Sequence, residues 1–224
     1  MTKTVLLASA AVLALSVSDA SAKHAAPGAV VKSANVHRTV FKTPKGLKTL
    51  YDQTDNNTGI GIVSDDFDSG YFDSYDDQGA DDFTVPSGHT WVVKEIDVQG
   101  VYFNGYGPAD GVNLYFYSDN GGVPGKEVKS KNKGFTDDGF GNFSIKGKAK
   151  LPAGTYWVSV QAQMNFVGGA GEWGWYISGT QHGNAGMWQD PGGGFGVCAT
   201  WAPVQSCIGY GPDWVFTLKG KDKT

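Results

Sequence analysis

Eight aspartates fall between Asp65 and Asp82, a density of carboxylate oxygens that suits a hard cation. Ca²⁺ takes about six to eight oxygen ligands. Asp65, Asp66, Asp68, Asp81 and Asp82 are the candidates to supply them, with loop carbonyls completing the shell. The order is not that of an EF-hand, which needs Asp-x-Asp-x-Asp-Gly and a glutamate closing the loop. Aspartate is also an ordinary residue of turns and exposed edge strands, so a purely structural reading competes with the metal.

A second chemistry is stacking on sugars, whose apolar C–H faces lie against flat aromatic rings flanked by amides and carboxylates. The chain holds seven Trp and ten Tyr. From Thr155 to Gln163, alternation sets Tyr156, Val158, Val160 and Ala162 on one face and Trp157, Ser159, Gln161 and Gln163 on the other. Trp157 then reads as an outward platform with Gln161 beside it. Tyr176, Trp188 and Trp201, in or near glycine-rich loops, are further candidate contacts. The competing reading covers Trp157 with the second sheet or a long loop and puts most other tryptophans in the core.

Catalytic signals are sparse. The glutamates are Glu95, Glu127 and Glu172, and no partner carboxylate can be named for Glu172. His89 and His182 fit neither HxH nor HExxH spacing. No Gly-x-Ser-x-Gly elbow or phosphate loop occurs. The expectation is a protein that is not an enzyme; a hydrolase would require two carboxylates converging in one pocket.

The elements that must hold these residues are strands. Ile96 and Val98 share a face, as do Val112, Leu114 and Phe116. Phe143, Ile145 and Ala149 keep the alternation, followed by Trp173, Trp175 and Ile177, then Trp214, Phe216 and Leu218. Breakers at Pro86-Ser87-Gly88, Asn104-Gly105, Asp119-Asn120-Gly121-Gly122 and Pro152-Ala153-Gly154 predict turns between the runs. With no amphipathic helical window, the pattern predicts an all-β fold, an antiparallel β-sandwich.

The flanks set the expected compartment. Lys3, an apolar run from Thr4 to Val17 and Ala20-Ser21-Ala22 read as a cleaved signal peptide over 1–22. Residues 23–50 carry Lys and Arg but no Asp or Glu and read as a basic, loosely ordered lead-in; the sandwich domain is expected over 51–224. Attraction between that lead-in and the acidic stretch after it is a further expectation. Cys198 and Cys207 form a disulfide if the compartment is oxidising. The formal net charge of -4 argues against a nucleic acid partner, and no later stretch has the roughly 18 apolar residues of a membrane span.

Three segments carry a resemblance. Asp77 to Phe83 reads DQGADDF, Val112 to Gly125 reads VNLYFYSDNGGVPG, and Leu151 to Ala162 reads LPAGTYWVSVQA, followed by Trp173-Gly174-Trp175. In this order they resemble a family of bacterial exported β-sandwich domains, found in secreted proteins with or without a C-terminal sorting tail. The resemblance implies an extracellular, jelly-roll-like module and brings no general activity or agreed functional residues. The chain ends in Lys219-Gly220-Lys221-Asp222-Lys223-Thr224, without the sorting tail some relatives have. The combined expectation is a secreted, non-catalytic module binding an extracellular polysaccharide or other surface polymer, with no cofactor except possible Ca²⁺. The alternative is a structural protein of the cell surface or matrix that contacts a surface protein, with Ca²⁺ sharpening assembly.

Overall fold

The computed structural model describes residues 27–68 and 70–224; the expected signal peptide over 1–22 lies outside them. The first strands are β1 (Val30–Lys32), β2 (Lys48–Gln53), β3 (Asn57–Val63), β4 (Asp65–Phe67), β5 (Gln78–Val98) and β6 (Gly100–Phe103). Next come β7 (Gly111–Asp119), β8 (Pro124–Glu127), β9 (Ser130–Asp137), β10 (Phe143–Met164) and β11 (Glu172–Ser178). The last are β12 (Met187–Gln189), β13 (Ala202–Pro203), β14 (Asp213–Trp214) and β15 (Phe216–Lys223). A helix of five residues, α1 (Val204–Ile208), follows β13. Among the described residues strands make up 55% against 4% helix, so the fold is all-β.

Two sheets face each other. The smaller runs β1-β3-β11-β14, with β6 also paired to β11. The larger is organised by β5 and β10, which pair antiparallel along almost their whole lengths. On one half of that pair lie β12 beside β5 and β7 beside β10; on the other half lie β15 beside β5 and β9 beside β10. Phe143, Ile145, Val158, Val160 and Ala162 from β10 meet Trp173, Trp175 and Ile177 from β11 in one hydrophobic core, every one of them inaccessible to solvent. The period-2 runs therefore lie where alternation places them.

Two expected turns are not turns. Pro86-Ser87-Gly88 and Pro152-Ala153-Gly154 lie inside β5 and β10, opposite each other. Val85 pairs with Gly154 and Thr90 with Pro152, so β5 accommodates extra residues in an exposed bulge there. Proline is tolerated at such a bulge because its missing N–H removes no ladder hydrogen bond. By contrast, Asp119-Asn120-Gly121-Gly122 does turn the chain, from β7 into β8. The Asp119 carboxylate accepts hydrogen bonds from the Gly121 and Gly122 N–H groups, and both glycines have positive φ, at 71° and 87°.

The lead-in also departs from expectation. Val30 pairs with Ile62 at the edge of the smaller sheet, β2 pairs with β15, and the Lys42 carbonyl accepts a hydrogen bond from Lys219 Nζ. Its pairing segments are only a few residues long, too short for a period to be visible. Its basic and imidazole groups do not tie it to the acidic stretch through side-chain ion pairs among the described residues. Lys48 pairs with Asp222 and His37 with Asp138 instead. Among the described residues, no helix is long and apolar enough to cross a membrane.

Candidate functional site

The aspartates proposed as cation ligands are drawn apart by separate partners. Asp65 is fully buried and accepts a hydrogen bond from the Trp173 N–H. Asp81 accepts from the Trp214 N–H at 2.7 Å and from Gln53 Nε2. Asp82 takes the backbone and side-chain N–H groups of Asn184, and Asp66 takes Asn113 Nδ2 at 2.6 Å. Asp68 is exposed and lines an open pocket with Asp66, Asp110 and Gln163. Among the described residues, no three His, Cys, Asp or Glu side chains converge as a metal shell requires. Asp65 and Asp81 serve instead to satisfy backbone donors that a sandwich of this connectivity buries.

That service has an electrostatic consequence. Burial lifts Asp65, Asp77 and Asp81 well above the usual carboxylate range; Asp77 adds to the shift at Asp65, and Asp213 to that at Asp81. Burial also raises Glu172 to about 7, against the lowering effect of hydrogen bonds from Asn104 Nδ2 and the Gly28 N–H. Asp76 and Asp213 are raised to about 6, again chiefly by burial. A raised folded-state pKa means that the native state holds protons the unfolded chain has lost. This stabilisation is complete below about pH 4 and declines as pH rises through the folded values of 6 to 7. The protein is expected to be more stable at pH 5 than at pH 8, by about 1–3 kcal/mol. Urea midpoints at constant ionic strength check this; a midpoint rising from pH 5 to pH 8 would contradict it.

The aromatic candidates divide. Trp157 does point away from the main core, as alternation requires, but it is fully buried. It lies in a second apolar cluster with Ala80 and Met187, against which Tyr117, Val123 and Trp201 pack. Its indole N–H donates to Asp119 Oδ1 at 2.9 Å. Trp188 is buried, donating to the Val63 carbonyl and to Asp77, and Tyr176 is buried in β11. These three are therefore not a ligand platform. Gln161 is half-buried and donates to the Asp65 and Asp77 carbonyls. Trp201 is half-buried, with its ring edge-on to Tyr117 at 5.9 Å.

What the structure assembles is a face across β12, β5, β10 and β7. Tyr115 and Tyr117 stand opposite Ser159 and Trp157 in the ladder, half-buried, with their rings 6.1 Å apart and inclined by 24°. Burial raises both phenols, Tyr117 to about 12, so at neutral pH each is an O–H group able to donate and accept. Gln78 donates to the Tyr117 hydroxyl, and Gln189 donates to Gln78. Further along the face Gln163 donates to Asn113 Oδ1, and Asn113 donates to Asp66 and Gln161. The result is two neighbouring phenol rings and an indole beside a chain of amides ending at a carboxylate.

The disulfide is formed as expected, with Cys198 and Cys207 sulfurs 2.09 Å apart. It closes the loop that carries Trp201, with Cys207 itself inside α1, and so restricts where Trp201 can sit over the face. Tyr115, Tyr117 and Asn113 were the residues the sequence reading overlooked. Their signal is the same alternation that assigns Val112, Leu114 and Phe116 to the core, since the intervening positions must face outward.

Compared with protein-family models, curated proteins and solved structures, the chain matches none.

Proposed function

We propose that this is an exported, non-catalytic binding module whose outward face on β5, β7, β10 and β12 takes an extracellular glycan. The observation that carries the reading is the pairing of Tyr115 and Tyr117 with the half-buried amides of Gln161, Gln163, Gln189 and Asn113 on one outward sheet face, where the buried Gln78 holds the Tyr117 hydroxyl. Phenol rings offer surface to the C–H face of a sugar, while amides and the Asp66 carboxylate supply paired donors and acceptors for its hydroxyls. Because β-strand backbones hold these groups, little ordering is required on binding. The Cys198–Cys207 disulfide supports an oxidising compartment, in line with export.

Titration against a panel of neutral polysaccharides, followed by Trp fluorescence and calorimetry, tests the reading. At least one glycan should bind. Tyr115→Ala and Tyr117→Ala should each weaken that binding about tenfold, equivalent to about 1.4 kcal/mol. Melting temperatures of the two variants should stay within a few degrees of the parent. No binding across the panel, or full binding by both variants, would remove the basis for the assignment.

A further inference from the structure

Three segments place lysine at every second position: Lys129-Ser130-Lys131-Asn132-Lys133, Lys146-Gly147-Lys148-Ala149-Lys150 and Lys219-Gly220-Lys221-Asp222-Lys223. In a strand that spacing puts all three lysines of a run on one face. The fold brings the runs together, because β15 lies against β5, β5 against β10, and β10 against β9. Lys148 is directly opposite Lys131 in the ladder. Lys94 projects from β5 among them, half-buried, and forms one open groove with Lys148, Lys150, Lys221 and Lys223. Lys129 and Lys131 line a second groove with Lys148 and Lys150.

Apart from Lys219, which is buried and paired, these ammonium groups lack carboxylate partners among the described residues. The lysine ion pairs there are Lys48 with Asp222, and Lys219 with Glu95 and Asp97. Glu95 stands opposite Lys146 in the ladder, but its carboxylate is turned to Lys219. Partial desolvation, together with the charges of Lys148, Lys133, Lys221 and Lys223, lowers the pKa of Lys94. Like charges placed opposite one another across strands are destabilising. A chain of net charge -4 thus concentrates half of its 18 basic residues on one half-sheet, unpaired, where they repel.

We infer that this lysine face docks an acidic polysaccharide, with carboxylate or sulfate groups along the glycan meeting the rows of Lys221 and Lys223, Lys146 to Lys150, and Lys129 to Lys133. Rows about 6.6–6.8 Å apart along each strand and about 4.7–4.9 Å apart between strands give a cationic surface broad enough for several anionic groups at once. The charge is complementary to a polyanion, and the groove-lining side chains are lysines with Ser130 and the buried Val92. No aromatic ring lines either groove to stack on nucleobases, and no exposed apolar wedge lines one to enter a bilayer, which favours the polysaccharide over nucleic acid or membrane. This site shares no residue with the tyrosine face, so either assignment can fail without the other.

The test uses the whole processed protein with polygalacturonate and dextran sulfate as ligands and unsulfated dextran as control. Binding to one or both polyanions should weaken linearly in log–log form as salt rises, because counterions are released on contact. Lys131→Gln, Lys148→Gln, Lys150→Gln and Lys221→Gln combined should lower affinity at least tenfold and flatten the salt dependence. The same variant should melt at a higher temperature than the parent at low salt, since repulsion is relieved, which separates loss of binding from loss of folding. Retained affinity in that variant, or no binding to either polyanion at low salt, would overturn the inference. Tighter binding to single-stranded DNA or to phosphatidylglycerol vesicles than to both polysaccharides would overturn it equally.

Discussion

Replacing Lys219 by methionine is expected to cost about 3–5 kcal/mol of folding stability, the usual penalty for leaving buried charge uncompensated. Lys219 is only 2% exposed, although it is a lysine on a terminal strand. Its ammonium contacts Asp97 Oδ2, lies 3.3 Å from Glu95 Oε1 and donates to the Lys42 carbonyl at 3.0 Å. The Phe41 ring lies 5.8 Å away. Removal of this one cation leaves two carboxylates facing each other out of water. The defect should shrink as pH falls from 7.5 to 4.5, because protonation neutralises the stranded acids. It should shrink also when Glu95→Gln and Asp97→Asn accompany Lys219→Met. Urea denaturation of the three proteins at both pH values checks each point. A Lys219→Met variant as stable as the parent at pH 7.5 would mean that the cluster is solvated.

Trp157→Ala should be nearly as damaging, at about 3–5 kcal/mol, and for a reason opposite to a binding role. The indole is fully buried in a cluster with Ala80 and Met187, with Tyr117 and Trp201 packed against it. Alanine there leaves a cavity and strips Asp119 of the indole N–H it accepts at 2.9 Å. Trp157→Phe keeps most of the volume and should lose only about 1–3 kcal/mol. Because Tyr117 rests on this cluster, glycan affinity should fall with Trp157→Ala as a consequence of lost support. Equilibrium unfolding separates the cases: a variant that binds no glycan yet unfolds at the parent's midpoint would make Trp157 a contact residue.

The contrast between Trp157 and Tyr115 shows what a one-dimensional pattern carries. Alternation correctly turned Trp157 away from Val158 and Val160, but the direction of a side chain does not say what lies above it. The cover over Trp157 comes from Met187 and Trp201, distant in sequence and brought over by pairing of β12 with β5 and β13. The same limit applied to the aspartates. Asp65 and Asp81 looked like ligands because their partners, the N–H groups of Trp173 and Trp214, belong to strands more than a hundred residues away. The long strands were hidden by Pro86 and Pro152, which punctuate a sequence even where a bulge lets the ladder run past them. The alternating residues themselves were legible: Trp173, Trp175, Ile177, Trp214, Phe216 and Leu218 are all core. The alternate-position lysines carry no meaning until β15, β5, β10 and β9 are set side by side, and so escape a reading of the sequence alone.

Amide chemical-shift mapping tests most directly whether a glycan lies across Tyr115 and Tyr117 as proposed. On titration with a glycan that binds, the largest perturbations should gather at Asn113, Tyr115, Tyr117, Gln161, Gln163 and the Trp201 indole, with the buried Trp188 indole little changed. Perturbations that instead cluster on the opposite sheet, around β1, β3 and β11, while Tyr115 and Tyr117 stay unmoved, would rule out the tyrosine face as the glycan site.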